Sequence, residues 1–206
     1  MNSTLPDVLT IVQPYALPHA PIPNTLHEVR LVRKHFPLGT ALEGDSGTVA
    51  TALAALPRHS WIHLACHGIQ HASDPTQSSF ILHEGTSLTL PQLMSLSLSH
   101  VQLAFLSTCQ TATGNPTVPD EAVHLAAGML AAGYVSVVGT MWSISDQDGP
   151  VVADAFYKAL RADIEAGKKA KSANALHGAV KQLRMMIGDR EFLRWVPFVH
   201  FGGTVG

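Results

Sequence analysis

The sequence predicts an α/β fold, a three-layer α/β/α sandwich built around a mostly parallel central sheet. Two segments of strand length, residues 60–67 and 101–108, contain no Asp, Glu, Lys or Arg, as is typical of strands covered by helices on both faces. Strand-like and amphipathic helical segments also alternate along the chain, which favours parallel strands joined by helical crossovers. With 206 residues, of which 46% are hydrophobic and 14% charged, we expect one well-buried domain over residues 1–206.

The first five elements follow from apolar patterning and from local stop and start signals. In chain order they are strand 8–12, helix 24–36, strand 38–42, an alanine-rich helix reaching Leu56, and strand 60–67. Pro14 stops the first strand because proline cannot continue a hydrogen-bonded ladder. Thr25 and Glu28 have the spacing of a capping box at the start of the first helix. Asp45 or Ser46 is the predicted N-cap of the second helix.

The later elements complete the alternation. They are hairpin strands 80–83 and 88–90, a short helix from Pro91, strand 101–108, helix 120–132, strand 134–141, helices 148–161 and 172–187, and a last strand 195–201. Glu84 and Gly85 form the predicted hairpin turn. Asp120 is the predicted cap of helix 120–132, and Gly133 ends that helix.

Composition excludes several classes of function. A formal net charge of -2 leaves no basic stripe for DNA or RNA, so no nucleic-acid partner is expected. The longest apolar stretch, residues 122–142, is interrupted by His124 and by glycines, which indicates a core segment and no membrane partner. The start of the chain lacks the pattern of a secretory signal, and the two cysteines, Cys66 and Cys109, are not in a CxxC arrangement. We therefore expect reduced thiols and a cytoplasmic location.

The candidate chemistry lies where two predicted strands end, at His67 and Cys109. The carboxyl ends of parallel strands meet at one edge of the sheet, and neighbouring strands are about 4.8 Å apart, so the two side chains can meet. A free thiol has a pKa near ~8.5, and a nearby imidazole activates it as a nucleophile. The backbone N–H groups of Gly68 and Cys109 are candidate donors to the oxyanion. This pair predicts a cysteine peptidase.

Other chemical sites fit the sequence less well. His63 and His67 are four residues apart, which on a strand spans about 13 Å and is too far for two ligands of one zinc ion. We expect no metal, and we expect His63 to be a buried, hydrogen-bonded strand residue. Cys66, inside an apolar run, is predicted to be structural. The G-x-S-x-G string of serine hydrolases is absent, and no cofactor is expected.

Several ordered blocks of this sequence resemble the CHAT domain, a caspase-like domain often joined to tetratricopeptide repeats and related to caspases, separases and gingipains. The blocks are HLACHG at 63–68, LSTCQT at 106–111, residues 120–130, residues 133–146 and residues 156–160. The resemblance implies a caspase-like sandwich with His67 as the base and Cys109 as the nucleophile. It also implies a protein or peptide substrate, a tetratricopeptide-repeat or other regulatory partner, and a role in stress, immunity or cell death.

The sequence departs from the caspase pattern around the nucleophile. Thr108 and Gln110 replace the flanking glutamine and arginine of classical caspases, so specificity for aspartate is not expected. Residues 142–148 resemble the segment that lines the primary specificity pocket of separase-type relatives. Asp146, or else Asp148, would then bind a basic residue of the substrate. In the alternative interpretation, Asp146 caps the following helix.

Two other functions remain open at this level. The same fold could be a catalytically silent interaction or signalling module that binds a partner through its loops. A flavodoxin-like nucleotide or signal-receiving domain would need a glycine-rich turn or an acidic cluster after the first strand, and residues 13–18 contain neither.

Overall fold

A mostly parallel β-sheet forms the centre of the molecule, as predicted. The computed structural model describes residues 5–71, 74–96, 98–110 and 123–205. The strands are β1 (Val8–Val12), β2 (Ala41–Glu43), β3 (Trp61–Ile69), β4 (Ser79–Ile81), β5 (Ser87–Thr89), β6 (Leu103–Gln110), β7 (Ser136–Thr140) and β8 (Phe198–Gly202). Their order is β2-β1-β3-β6-β7-β8, in which only β8 is antiparallel to its neighbour, and the hairpin of β4 and β5 pairs with the end of β3.

Helices cover both faces of this sheet. They are α1 (Asn24–His35), α2 (Val49–Ala55), α3 (Leu90–Met94), α4 (Val123–Ala131), α5 (Asp148–Glu165), α6 (Ser172–Ile187) and α7 (Phe192–Trp195). The first layer contains α1, α5 and α6, and the second contains α2, α3 and α4. No helix in the described ranges has both the length and the apolar character needed to cross a membrane.

The alternation of side chains along β3 sends successive residues into different layers. Ile62 and Leu64 lie in the apolar core under α2, α3 and α4. Trp61 lies in the core under α1, α5 and α6, and the His63 ring packs against Phe105 and Tyr157 in that same layer. Because both faces are covered, the strand is nearly continuous in apolar residues, which is why its sequence shows no simple alternation.

The predicted capping box of α1 is wrong. The helix begins at Asn24 without a side-chain cap, and the Thr25 hydroxyl instead donates to the Ile22 carbonyl at 2.7 Å. Glu28 is buried against His63, since its position on the helix faces the sheet and not the helix start.

The predicted cap of α2 is also wrong. Thr48 caps this helix, and its hydroxyl accepts from the Thr51 N–H at 3.1 Å in a reciprocal capping box. Asp45 and Ser46 instead form a short 3-10 turn before it.

The end of the chain differs slightly from the prediction. Residues 192–195 form α7, and the last strand starts at Phe198 and pairs antiparallel with β7. The predicted hairpin turn is confirmed, and Gly133 ends α4 with a φ of 110°. The polar loop after Gln110 and the predicted cap Asp120 lie outside the described residues.

Candidate active site

The strands β3 and β6 bring His67 and Cys109 side by side. These strands are parallel and in register from Trp61 opposite Leu103 to Gly68 opposite Gln110, so His67 is directly opposite Cys109. Backbones paired in this way are about 4.8 Å apart. The structure describes Cys109 by its backbone, and at that level the two predicted residues meet at the carboxyl edge of the sheet.

The His67 imidazole is buried and its orientation is fixed. Only 2% of the residue is exposed, and Nε2 lies 2.9 Å from the Ala20 carbonyl oxygen. A carbonyl can only accept, so Nε2 carries the proton and donates it. In the neutral ring the basic lone pair is then on Nδ1. The His19 ring packs over His67, with 4.9 Å between centroids and an interplanar angle of 31°.

The loop of residues 14–22, between β1 and α1, places the Ala20 carbonyl over His67. Its ends are joined by a hydrogen bond from the Ile22 N–H to the Pro14 carbonyl at 2.9 Å. On its outer side it contacts the hairpin turn, where a Cβ at Gly85 would lie 2.4 Å from the Leu17 carbonyl oxygen. The glycine therefore permits this close approach.

Sequence reasoning missed this loop because a backbone carbonyl acts independently of residue type. Only the topology of the sheet could have indicated that this loop lies near His67. The loop follows the carboxyl end of β1, which is paired with β3 as far as Ala65, and it therefore opens at the same edge of the sheet as His67.

Gly68 has a packing reason for being glycine. A Cβ at this position would lie 2.8 Å from Leu125 Cδ1 of α4. Its backbone is in a strand paired on both sides, opposite Phe80 of β4 and Gln110 of β6. The glycine thus allows α4 to approach the sheet, and the predicted role of its N–H as an oxyanion donor stays a prediction.

A buried polar cluster lies in the first helical layer, deeper than His67 along β3. His63 Nε2 is 3.0 Å from Glu28 Oε1, with side chains 0% and 2% exposed, and His63 Nδ1 is 3.2 Å from the Tyr157 hydroxyl. This confirms His63 as a buried, hydrogen-bonded strand histidine. Burial and the Glu28 carboxylate raise the pKa of Tyr157 well above its ordinary value. The spacing of Glu28 from Thr25 predicted a capping role at the start of the helix, so the sequence did not indicate its contact with His63.

The start of α5 reaches the same cluster. A Cβ at Gly149 would lie 2.7 Å from Glu28 Oε2 and 3.0 Å from Ser107 Oγ. Ser107 is two residues before Cys109 on β6, about 7 Å along a strand. Glycine at position 149 therefore lets the N-terminus of α5 pack close to the strand that carries Cys109.

The two predicted specificity aspartates occupy different surroundings. Asp146 is partly exposed, and its Oδ2 accepts hydrogen bonds from the Asn24 backbone N–H at 3.1 Å and side-chain amide at 2.8 Å. The alternative prediction, that Asp146 caps the next helix, is wrong, because the N-cap of α5 is Gln147, without a side-chain hydrogen bond. Asp146 instead holds the start of α1.

Asp148 is buried and paired with an arginine of α7. Its side chain is 2% exposed, and Arg194 donates to it from Nε at 2.9 Å and from Nη2 at 2.6 Å. The carboxylate raises the pKa of the Arg194 guanidinium above its ordinary value. No sequence pattern indicated this partner, which lies 46 residues later in the chain.

Cys66 lies away from this arrangement. It is buried in the core of the second helical layer, on the face of β3 opposite His67. Within the described part of the chain, no group of three or more His, Cys, Asp or Glu side chains could hold a metal ion.

Comparison with known proteins identifies the family. The CHAT domain profile matches residues 6–203. This chain belongs to the CHAT domain family. No curated protein sequence matches this CHAT domain.

Solved structures show that this CHAT domain has a gingipain/caspase-like fold. The crystal structure of the Arg-specific cysteine proteinase gingipain R is 12% identical, with a TM-score of 0.66 over 95% of this chain and 46% of that chain. A complex of the Porphyromonas gingivalis RgpB pro- and mature domains is also 12% identical, with a TM-score of 0.60 over 95% and 47% of the two chains. The CHAT domain thus spans about half the length of these structures.

Proposed function

We propose that this CHAT domain is a cysteine endopeptidase that cleaves peptide bonds through a Cys109–His67 dyad and an acyl-enzyme. The observation that carries the proposal is the register of β3 and β6, which pairs His67 with Cys109 at the carboxyl edge of the sheet. Membership of a family with a caspase-like peptidase fold supports it.

The orientation of His67 supports a role as the base. Its Nε2–H donates to the Ala20 carbonyl, so Nδ1 is the ring nitrogen that would accept the thiol proton. On β6, Phe105 faces the first helical layer, and the two-residue period of a strand places position 109 on the same face. On β3, His63 packs against Phe105, and the same period places position 67 on that face as well.

The reaction follows from these placements. The Cys109 thiol transfers its proton to His67 Nδ1, and the thiolate attacks the substrate carbonyl to form a tetrahedral intermediate. Backbone N–H groups of Gly68 and Cys109 are proposed to bind the oxyanion. The imidazolium then gives its proton to the leaving amine, and water hydrolyses the resulting thioester with His67 again as the base.

The substrates are proposed to be proteins or peptides of the cytoplasm, cut after a basic residue. The Arg-specific gingipain with the same fold supports a basic preference, and Asp146 and Asp148 are the candidate carboxylates. A tetratricopeptide-repeat or other protein is proposed as the regulatory partner, in a stress, immunity or cell-death pathway.

Alkylation by peptidyl chloromethyl ketones tests the dyad. Intact-mass and peptide-map analysis would compare the wild type with Cys109→Ala and His67→Ala, using Arg, Lys, Asp or Leu next to the reactive group. We expect one adduct on Cys109 and a labelling rate about 10² to 10⁴ times lower in His67→Ala. The matched control is Cys66→Ala, which should label like the wild type. Equal reaction of Cys66 and Cys109 would contradict the proposal.

One observation favours a second candidate, a catalytically silent interaction module. His67 is 2% exposed beneath His19 and Ala20, so the loop of residues 14–22 covers the imidazole. If none of the four peptides labels Cys109 in the folded wild-type protein, this candidate replaces the peptidase.

A further inference from the structure

The N-terminus of α5 packs against the strand that carries the proposed nucleophile. Asp148 is the first residue of α5, and the next residue, Gly149, approaches Ser107 of β6 so closely that a Cβ would be 3.0 Å from Ser107 Oγ. Ser107 is two strand residues from Cys109. Under the proposed function, Asp148 is one of the two candidate carboxylates for the basic side chain that precedes the cleaved bond.

An arginine of the protein itself already occupies that carboxylate. The Arg194 guanidinium donates to both oxygens, Oδ2 from Nε and Oδ1 from Nη2. This is the planar, bidentate geometry with which a substrate arginine would bind a carboxylate. Because the Asp148 side chain is 2% exposed and both oxygens accept from Arg194, a substrate guanidinium can bind only by displacing Arg194.

The segment that carries Arg194 is short. The helix α7 has four residues, and two further hydrogen bonds join its neighbourhood to the loop after β7. The Trp142 indole N–H donates to the Leu193 carbonyl at 2.8 Å, and the Met141 N–H donates to the Pro197 carbonyl at 2.9 Å.

The outer side of α7 adds little apolar burial. Phe192 and Leu193 remain 54% and 62% exposed, and the apolar contact of α7 comes from Trp195, which packs against the core of the first layer and lies 4.9 Å from the Arg184 guanidinium. Segments with few buried contacts open at the lowest free energies in a protein.

We propose that Arg194 is a specificity-determining residue that acts as an intramolecular substitute for a substrate arginine at Asp148. This inference rests on the proposed peptidase function and deepens it. With Arg194 in place, an intramolecular guanidinium competes with the basic side chain of the substrate at high effective concentration, so the basic preference proposed above is weakened. Displacement of α7 frees Asp148 and shifts the preference toward arginine.

The test compares two chloromethyl ketones that share one peptide sequence and end in Arg or in Leu. The quantity measured is the ratio of the Arg to the Leu second-order labelling rates at Cys109, followed by mass spectrometry. We expect Arg194→Ala to raise this ratio at least about tenfold, the effect of releasing one charged hydrogen-bonded pair. The double variant Asp148→Asn/Arg194→Ala should return the ratio to that of the wild type.

Two further variants keep the test decisive. Arg194→Ala leaves a buried carboxylate without its arginine, so thermal melting first establishes whether the variant is folded. Arg194→Lys keeps the charge, loses the bidentate geometry, and should raise the ratio less but in the same direction. The matched control is Arg161→Ala, which removes an arginine paired with Glu165 at the far end of α5 and should leave the ratio unchanged.

The outcomes separate this inference from the proposed function. An unchanged ratio in folded Arg194→Ala and Arg194→Lys, with the Leu peptide still labelling Cys109, overturns the role of Arg194 and leaves the peptidase intact. An equal rise in both rates also overturns it, because it shows general opening of the site. Failure of both peptides to label Cys109 in every folded variant overturns the peptidase itself.

Discussion

The two faces of the sheet are built on different physical principles. In the layer of α2, α3 and α4, the apolar core around β3 consists largely of aliphatic side chains, such as Leu64, Leu106 and Leu125. In the layer of α1, α5 and α6, the apolar core encloses ionisable groups, among them Glu28 and His63.

The two layers differ in the kind of contact that their helices make. The second layer contributes packing: α4 approaches the sheet closely at Gly68, and α3 packs closely against α4 at Gly128. The first layer also contains polar contacts between elements, since Glu28 of α1 lies 3.0 Å from His63 of β3, and His63 lies 3.2 Å from the Tyr157 hydroxyl of α5. The proposed chemistry is on the face with the polar core.

The largest expected effect comes from removing one partner of the buried Glu28–His63 pair, which tests whether this polar cluster stabilises its face of the sheet. We expect Glu28→Ala to lower the free energy of unfolding by about 3–5 kcal/mol, since His63 loses its buried carboxylate partner. Urea denaturation at neutral pH measures this loss.

A triple variant provides the control. Glu28→Met/His63→Leu/Tyr157→Phe replaces the polar cluster with apolar groups, and it should recover most of the lost stability, because well-packed apolar residues often substitute for a buried ion pair without cost. If Glu28→Ala costs less than about 1 kcal/mol, the typical net value of one ordinary hydrogen bond, the polar cluster does not stabilise this face.

A matched pair of glycine substitutions gives the next largest effect. In Gly149→Ala the new methyl group meets the Glu28 carboxylate and Ser107, so we expect a loss of about 1–3 kcal/mol from strain in a packed site. In Gly128→Ala it meets the apolar side chain of Leu90, 2.4 Å from Cδ2, so that side chain must shift but no buried carboxylate is displaced. The gain in helix propensity of about 0.5–1 kcal/mol offsets part of that strain.

Thermal and urea unfolding of the two variants are directly comparable. The contrast between the faces requires Gly149→Ala to be the more damaging. A greater loss in Gly128→Ala would show that the aliphatic layer is the less tolerant of the two.

The smallest effect concerns one buried tyrosine on each face. Tyr157 bonds to His63, so Tyr157→Phe should cost about 1 kcal/mol or slightly more at neutral pH. The Tyr134 hydroxyl, in the second layer, has no hydrogen-bond partner in the part of the chain that the structure describes, and Tyr134→Phe should be neutral or stabilising. Opposite signs in urea denaturation would sharpen the contrast, and equal losses would contradict it.

The same two tyrosines also contribute to a fall in the free energy of unfolding at alkaline pH. Burial raises the pKa of both above the ordinary value in the folded state, so above about pH 10 the unfolded chain binds fewer protons and stability falls as pH rises. Each tyrosine contributes up to about 1.4 kcal/mol per pH unit to this fall. Each Phe variant should therefore be less sensitive to alkaline pH than the wild type.

Much of the fold was predictable because its signals are local. The strands at Trp61 and Leu103 are long apolar segments, α6 has the predicted bounds, and Gly133 ends α4. The two helix caps were mispredicted because several polar residues near a helix start compete for one geometry. Glu28 had a capping position in sequence, but burial beside His63 determined its contacts.

The candidate site was only half predictable. His67 and Cys109 could be located because each follows an apolar strand, and parallel pairing then places both at one edge of the sheet. The Ala20 carbonyl could not, because every residue has one and only the path of the chain selects it. The pairing of Asp148 with Arg194 was equally hidden.

By itself the sequence determined the layer pattern, the family and the positions of the proposed base and nucleophile, because apolar periodicity and short motifs depend on residue type. Tertiary structure alone decided which nitrogen of His67 carries a proton, which acid holds His63, and which cation binds Asp148. The reason is physical. Hydrogen bonds and ion pairs depend on distances of a few tenths of an ångström between segments far apart in the chain, and no local pattern encodes those distances.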